Sequence, residues 1–400
     1  MARTEAHIKI ATGGGGGGGS VGAKLMKTNQ TTSYATGDDG DLQQGRLNSF
    51  FILNSNNVFG TNERFTDDIG TQAYSNRIAI DHSTDNGTEI LGFFADSTGT
   101  NRTWEDSIDW ALSVSVGTFT SGWSLPNKRQ MYSVINDGAA GHGLNYATFL
   151  IIGNALSTGY WSSTTTNNIT TYATMISSSR YSAERVIKTL AVRAYAVRNF
   201  TYSDLGVTGA INPIVGADIM KTGQTVSYRT GDDGDLEEGR DVDFLTLPSN
   251  NPFGTTARFT DELGGSTYTT GIVIDWSTYD STNVTGWNKN ISALMNWDDA
   301  IDNAVLTSIG TYTSGWYLPN INQLMHISKW GDSGRLLDYA PFNFTNNNNR
   351  LWSSTTYKLT TTNAFVLWFQ MIITQAAKTT ATNYRYLPAR TFTVTGTTLT

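Results

Sequence analysis

The chain has 400 residues, of which only 15% are charged, and its formal net charge of −7 predicts no general attraction for nucleic acid. It contains no cysteine, which excludes disulfides, thiol nucleophiles and cysteine-ligated metal sites. The longest apolar run, Ala364–Ile373, is interrupted by Gln370 and is too short for a bilayer span, so we expect no membrane insertion.

Residues 1–24 form an N-terminal arm that differs in composition from the rest of the chain. Ala6–Ala11 alternates as a strand does, and Gly13–Gly19 is an unbroken glycine run. Polyglycine has no side chain to pack and loses the most entropy on ordering. The arm is therefore either a flexible leader or a docking arm that orders only on a partner. It lacks the apolar region of a secretory signal, so we expect assembly in a cytoplasm.

Two long segments carry the same motifs in the same order, roughly 190 residues apart, which is domain-sized. The matching pairs include MKTNQTTSYATGDDGDL from Met26 and MKTGQTVSYRTGDDGDL from Met220, SGWSLPN from Ser121 and SGWYLPN from Ser314, and WSSTT from Trp161 and Trp352. This pattern predicts a duplicated domain. We place a first repeat at residues 25–200, a linker at 201–217 and a second repeat at 218–400, and we expect two repeats that touch but have separate cores.

Within each repeat the periodicity predicts an α+β domain. Ile78–Asp81 is β-branched and strand-like, and Trp104–Leu112 places its apolar residues on one helical face. A second short helix is expected over Arg129–Ile135, and an antiparallel sheet is expected from Trp161 to the end of the repeat. The tryptophans that recur in both repeats are predicted to be core anchors. They are Trp123, Trp161, Trp316 and Trp352.

The TGDDGDL motif offers carboxylates around a glycine turn. The residues are Asp38, Asp39 and Asp41 in the first repeat and Asp232, Asp233 and Asp235 in the second. Such oxygens suit calcium, the one cofactor that the sequence suggests, but the spacing is not that of an EF-hand. Asp-Gly also favours tight turns, and a plain turn is the preferred interpretation.

A second candidate site combines aromatic and amide side chains in the second repeat. Stacking on aromatic rings with hydrogen bonds from amides is typical of carbohydrate recognition. The candidate ligand-binding residues are Asn347, Asn348, Asn349, Arg350, Tyr357, Trp368, Gln370 and Tyr386. No catalytic motif is present and the four histidines are scattered, so we predict that the protein is not an enzyme.

The order of these motifs resembles the DUF1566 family, also called the C-terminal domain of Legionella collagen-like protein. The matching segments are Arg64–Asp67, Trp161–Thr165, Ala196–Arg198, Thr222–Thr225, Trp297–Ala300 and Trp316–Asn320. The resemblance implies two tandem C-type-lectin-like domains, each antiparallel β with one or two helices. Family members commonly carry cysteine where this chain has Ser33, Ser227, Ala196 and Pro388, so the disulfide of the family is absent.

By the same resemblance, such modules are adhesive. The sequence therefore predicts a phage virion surface protein, such as a head fibre, a decoration protein or a tail-associated adhesin, that binds a host-surface glycan or protein. Residues 1–24 would contact other virion proteins, and the chain would form a homo-oligomer, with a trimer favoured. A structural protein that cements a capsid or tail and a secreted bacterial adhesin are the alternatives.

Overall fold

The structure is a computed structural model. The residues that it describes are 28, 30, 32–42, 50–53, 55–85, 87–95, 99–136, 144, 148–149, 159–165, 171–177, 182–207, 227, 229–236, 243–329, 337, 339–342, 344, 349–369, 372–380 and 384–400. The arm 1–24 and most of the predicted linker lie outside them.

Strands dominate both repeats, as the sequence predicts for a β-rich α+β protein. The first repeat contains α1 (Asp39–Leu42), β1 (Phe65–Thr66), β2 (Ile78–Asp81), β3 (Glu89–Ala95), α2 (Trp104–Leu112), α3 (Lys128–Ser133), β4 (Tyr160–Thr165), β5 (Tyr172–Ser177), β6 (Ser182–Ile187) and β7 (Tyr195–Thr201). The second contains α4 (Asp233–Leu236), β8 (Phe259–Thr260), β9 (Ile272–Asp275), β10 (Asn283–Asn288), α5 (Trp297–Val305), β11 (Trp316–Tyr317), α6 (Ile321–His326), β12 (Arg350–Thr356), β13 (Asn363–Trp368), β14 (Ile372–Ala377), β15 (Tyr384–Arg385), β16 (Ala389–Thr395) and β17 (Thr398–Leu399). A short 3-10 helix follows β2 and β9, at His82–Thr84 and Trp276–Thr278.

Each repeat contributes two sheets. In the first repeat the strand orders are β1-β2-β3-β7 and β4-β5-β6, and in the second they are β8-β9-β10-β16-β11 and β14-β13-β12-β15, with β17 beside β16. The closing strand β7 pairs with β3 rather than with β4–β6, so the single terminal sheet expected from the sequence is in fact two sheets. In the described part of the chain, each sheet takes its strands from one repeat.

The predicted helix over Trp104–Leu112 is confirmed with the predicted bounds. Thr103 caps its first turn, and Trp104 is fully buried with its indole N–H donating to the Ser162 carbonyl at 2.9 Å. Leu112, expected on the buried face, is 45% exposed. The equivalent Trp297 of α5 donates to Ser353 in the same way.

The four recurring tryptophans are core anchors, as predicted, because all of them are buried. The second short helix begins one residue before and ends two residues before its predicted bounds, since a capping box formed by Asn127 and Gln130 fixes its first turn. Asn320 and Gln323 form the same capping box in the second repeat.

The prediction of two separate cores is wrong. One cluster of buried side chains contains residues of both repeats, from Phe50 and Phe149 to Phe244 and Phe365. Arg129 crosses between the repeats, because its guanidinium donates to the Ser328 carbonyl at 2.5 Å. The predicted linker also begins inside the first repeat, where Leu205 is buried. The two repeats touch, as expected, and they share apolar packing.

A buried ion pair recurs in the two repeats. Arg64 donates to both carboxylate oxygens of Asp81 at 2.8 and 2.7 Å, and neither side chain is exposed. The guanidinium lies between the rings of Phe50 and Phe65, 4.4 Å from each centroid. Arg258 and Asp275 repeat the arrangement at 2.9 Å. These pairs join the start of β1 to the end of β2, and the start of β8 to the end of β9.

Candidate functional site

The acidic turn of the first repeat docks on the second repeat. A side chain added at Gly37 would meet Ile301 of α5 at 3.3 Å. Asp39 accepts hydrogen bonds from Thr28 at 2.5 Å and from Thr355 of β12 at 2.8 Å. The contacts with Ile301 and Thr355 join residues more than 260 positions apart along the chain.

The acidic turn of the second repeat docks on the first repeat in the same manner. A side chain at Gly231 would meet Leu112 and Ile108 of α2 at 2.7 and 3.1 Å. Arg229, two residues earlier, pairs with Asp109 of the same helix at 2.5 Å. The repeats have therefore exchanged equivalent segments, an arrangement that is close to a two-fold, isologous interface.

The carboxylates of these turns accept hydrogen bonds from the backbone of the turn itself. Asp38 accepts from the backbone N–H groups of Tyr34 and Asp41, at 2.7 and 3.0 Å, and Asp41 accepts from Gly37 at 2.9 Å. The carboxylates thus close the turn. Asp232 accepts from the backbone N–H groups of Arg229 and Asp235, Asp235 accepts from that of Gly231, and the Asp233 side chain lies outside the described residues. Within the described residues no group of three or more His, Asp or Glu could hold a metal ion.

The candidate ligand-binding residues do not all reach the surface. Tyr357, Tyr386 and Asn349 are buried, so they offer little surface to a ligand outside the molecule. Tyr357 directly follows β12 and packs edge-on against Phe365 of β13. Asn347, Asn348 and Gln370 lie outside the described residues.

Arg350 and Trp368 remain at the surface and are brought together by strand pairing. Arg350 lies opposite Trp368 on β13 and opposite Tyr384 on β15. Its guanidinium carbon is 4.4 Å from the Trp368 ring centroid and 5.6 Å from that of Tyr384. We call these three side chains the Arg350 row. Sequence reasoning missed Tyr384, whose place depends on the parallel pairing of β12 with β15.

The Arg350 row is specific to the second repeat. The WSSTT motifs align Arg350 with Gly159, and the paired strands align Trp368 with Ser177. Gly159 has no side chain, and the Met175 side chain occupies the space beside it, so the first repeat has neither the arginine nor the tryptophan. Comparing the two repeats position by position is the signal that identifies this pair in the sequence.

Two buried titratable groups respond to pH in opposite directions. Burial lowers the pKa of His82 from 6.5 to about 4, and its Nδ1 has no hydrogen-bond partner among the described residues. Burial raises the pKa of Asp39 from 3.8 to about 6, against the opposing effect of its bonds to Thr28 and Thr355. The neutral form of each group is therefore favoured in the folded chain.

We predict that the changes in stability caused by the titration of His82 and of Asp39 cancel between about pH 4 and 6. The depressed pKa of His82 gives stability that is full above pH 6.5 and is lost as pH falls through about 4. The raised pKa of Asp39 gives stability that is full below pH 3.8 and is lost as pH rises through about 6. Each contribution is about 3 kcal/mol. His82→Trp should make stability fall with rising pH in this range, and Asp39→Asn should make it rise.

Urea unfolding at several pH values measures both slopes. Trp is a matched replacement for His82, since Trp276 occupies the equivalent position in the second repeat. Trp276 donates to the Thr260 hydroxyl at 2.7 Å, and His82 forms the corresponding hydrogen bond with Thr66 at 2.8 Å. Parallel pH profiles for the two variants would contradict the prediction.

The chain was compared with known proteins. No protein-family model matches it, and no curated protein matches it. In the described part of the chain, no helix is long and apolar enough to cross a membrane.

Proposed function

We propose that the chain is a phage virion surface protein, a head fibre, decoration protein or tail-associated adhesin, that presents two C-type-lectin-like domains and binds a host-surface glycan. The observation that carries the proposal is the Arg350 row, in which the partly exposed Arg350 and Trp368 pack on the buried Tyr384, and which the second repeat has and the first lacks. The motif resemblance to the C-terminal domain of Legionella collagen-like protein supports the lectin-like assignment.

The chemistry of the row suits a sugar. The partly exposed Trp368 offers apolar surface to the C–H groups of a sugar ring, while the Arg350 guanidinium offers hydrogen-bond donors. Packing between Trp368 and Tyr384 limits the rotamers of Arg350, so less side-chain entropy is lost on binding.

The position of Gln30, which follows the arm in the chain, also supports the proposal. Gln30, a few residues after the arm, accepts a hydrogen bond from the Thr356 N–H at 2.7 Å, at the end of β12. Arg350 begins the same strand, and six residues of strand span about 20 Å. Attachment through residues 1–24 would therefore place the particle and the glycan at opposite ends of β12.

A glycan array probed with the full chain tests the proposal. We expect Trp368→Ala to weaken binding of the recognised glycan about fivefold, since loss of aromatic stacking costs about 1 kcal/mol. Trp110→Ala is the matched control: Trp110 is also partly exposed with an arginine, Arg102, 4.7 Å from its ring, but it lies in the first repeat. We expect this control to bind normally.

Two outcomes would count against the proposal. Silence of the wild-type chain across the array would favour the structural, cementing alternative. Equal losses in the Trp368 and Trp110 variants would remove the Arg350 row from consideration. Deleting residues 1–24 should abolish incorporation into particles and leave glycan binding intact.

A further inference from the structure

An arginine on an aromatic pair occurs at equivalent positions of the two repeats, but its partners differ. In the first repeat, the Arg198 guanidinium lies 5.1 Å from the Phe119 centroid and 4.9 Å from that of Phe200. Its charge is met by Asp204, six residues later, whose carboxylate lies 3.3 Å from Nη2. In the first repeat, the Arg198 guanidinium therefore has a carboxylate partner from the same repeat, Asp204.

The second repeat keeps the arginine and loses the acid. Arg390 lies 4.9 Å from the Tyr312 centroid and 4.6 Å from that of Phe392. Six residues later the chain has Gly396 in place of an aspartate. Among the described residues, no acidic group pairs with Arg390, and its buried Nε and Nη1 have no hydrogen-bond partner, whereas in Arg198 only Nη1 lacks one.

We infer that Arg390 binds the carboxylate group of an external ligand, at the place where Asp204 lies beside Arg198 in the first repeat. Buried N–H groups without an acceptor are costly, and a guanidinium holds a carboxylate through two parallel hydrogen bonds. The first repeat provides the precedent, because a carboxylate there lies beside Nη2 of the same arginine on the same pair of rings, while Nη1 stays without a partner among the described residues.

The surroundings of Arg390 are those of a formed site. β16 holds it between β10 and β11, opposite Gly286 and Trp316, so its backbone is fixed. Gly315 faces the guanidinium without a side chain, just as Gly122 faces Arg198. Arg390 is partly exposed, which lets a ligand reach it. Burial lowers the pKa of Arg390, a sign that its charge is incompletely solvated.

Glu262 does not occupy the position beside Arg390 that Asp204 has beside Arg198. Glu262 raises the pKa of Tyr312, the ring beside Arg390. Its carboxylate accepts a hydrogen bond from Thr270 at 2.7 Å and, among the described ion pairs, forms none with Arg390. The inference is independent of the Arg350 row, which lies on a different sheet.

Titration of the full chain with sodium acetate and sodium glucuronate tests the inference, with chloride used to keep ionic strength constant and glucose as the uncharged control. The arginine Nε–H signals in proton–nitrogen NMR spectra report on the site. We expect one signal to shift saturably with both anions and not with glucose. Tighter binding of glucuronate would assign the carboxylate to an acidic sugar, and equal binding would assign a site for simple carboxylates.

Variants locate the site. Arg390→Gln should weaken anion binding at least about tenfold, the change expected when a charge-assisted pair is removed. Arg198→Gln, the same change in the first repeat, should leave it unchanged. If Arg390→Gln does not fold, Gly396→Asp supplies an internal carboxylate and should compete with the ligand; aspartate tolerates the positive φ of 62° there. An absent shift, or an equal shift in Arg390→Gln, would overturn the inference.

Discussion

Arg64→Met is expected to lower the free energy of unfolding by about 3–5 kcal/mol, the largest single-residue effect that we foresee. The substitution keeps much of the apolar stem and removes the guanidinium that satisfies the buried Asp81 carboxylate. Asp81 would keep its hydrogen bonds from Ser83 but would have no counter-charge. The carbonyls of Phe50 and Ser133 would also lose their donor. Equilibrium unfolding in urea measures the change.

An exposed ion pair provides the control for this prediction. Arg229→Met removes the partner of Asp109, whose side chain is 62% exposed, and should cost less than about 1 kcal/mol because solvent screens the pair. The double variant Arg64→Met/Asp81→Leu should recover part of the loss, since no charge is left buried. If Arg64→Met costs no more than Arg229→Met, the buried pair does not stabilise the fold as we argue.

Local patterns predict the elements of this fold better than their assembly. The helix at Trp104–Leu112 follows from 3.6-residue periodicity and a threonine cap, both of which depend on neighbouring residues. The strand at Ile78–Asp81 follows from β-branched side chains. The pairing of β7 with β3 joins residues about a hundred positions apart, and no local signal encodes such a partner.

The candidate site was predictable only in part for the same reason. Alternation alone does not tell which face of β13 is covered, so the sequence does not distinguish Phe365, which is buried, from Trp368, which is partly exposed. The exchange of acidic turns was hidden because TGDDGDL has the same local structure on either repeat. Duplication shows that the two acidic turns are equivalent, but it does not show which repeat each turn packs against.

Deleting residues 1–42 is expected to destabilise the second repeat, although every deleted residue belongs to the arm and the first repeat. The deletion removes the Asp39 carboxylate from Thr355 and the Gln30 side chain from the Thr356 N–H. It also uncovers Ile301 where Gly37 lies against it. Hydrogen bonds that involve a charged group contribute about 1.5–3 kcal/mol, so the loss should reach about 3 kcal/mol.

Hydrogen exchange read by mass spectrometry distinguishes this result from docking within one repeat. Amides of α5 and β12 should lose protection about a hundredfold in the deletion variant, while those of α2 stay protected, because the α2 face is covered by the turn at Gly231. Deleting only residues 1–24 retains Thr28 and Asp39 and should leave both repeats protected. Loss of protection at Trp104–Leu112 with α5 unchanged would mean that each turn docks on its own repeat, and the exchanged arrangement would then be wrong.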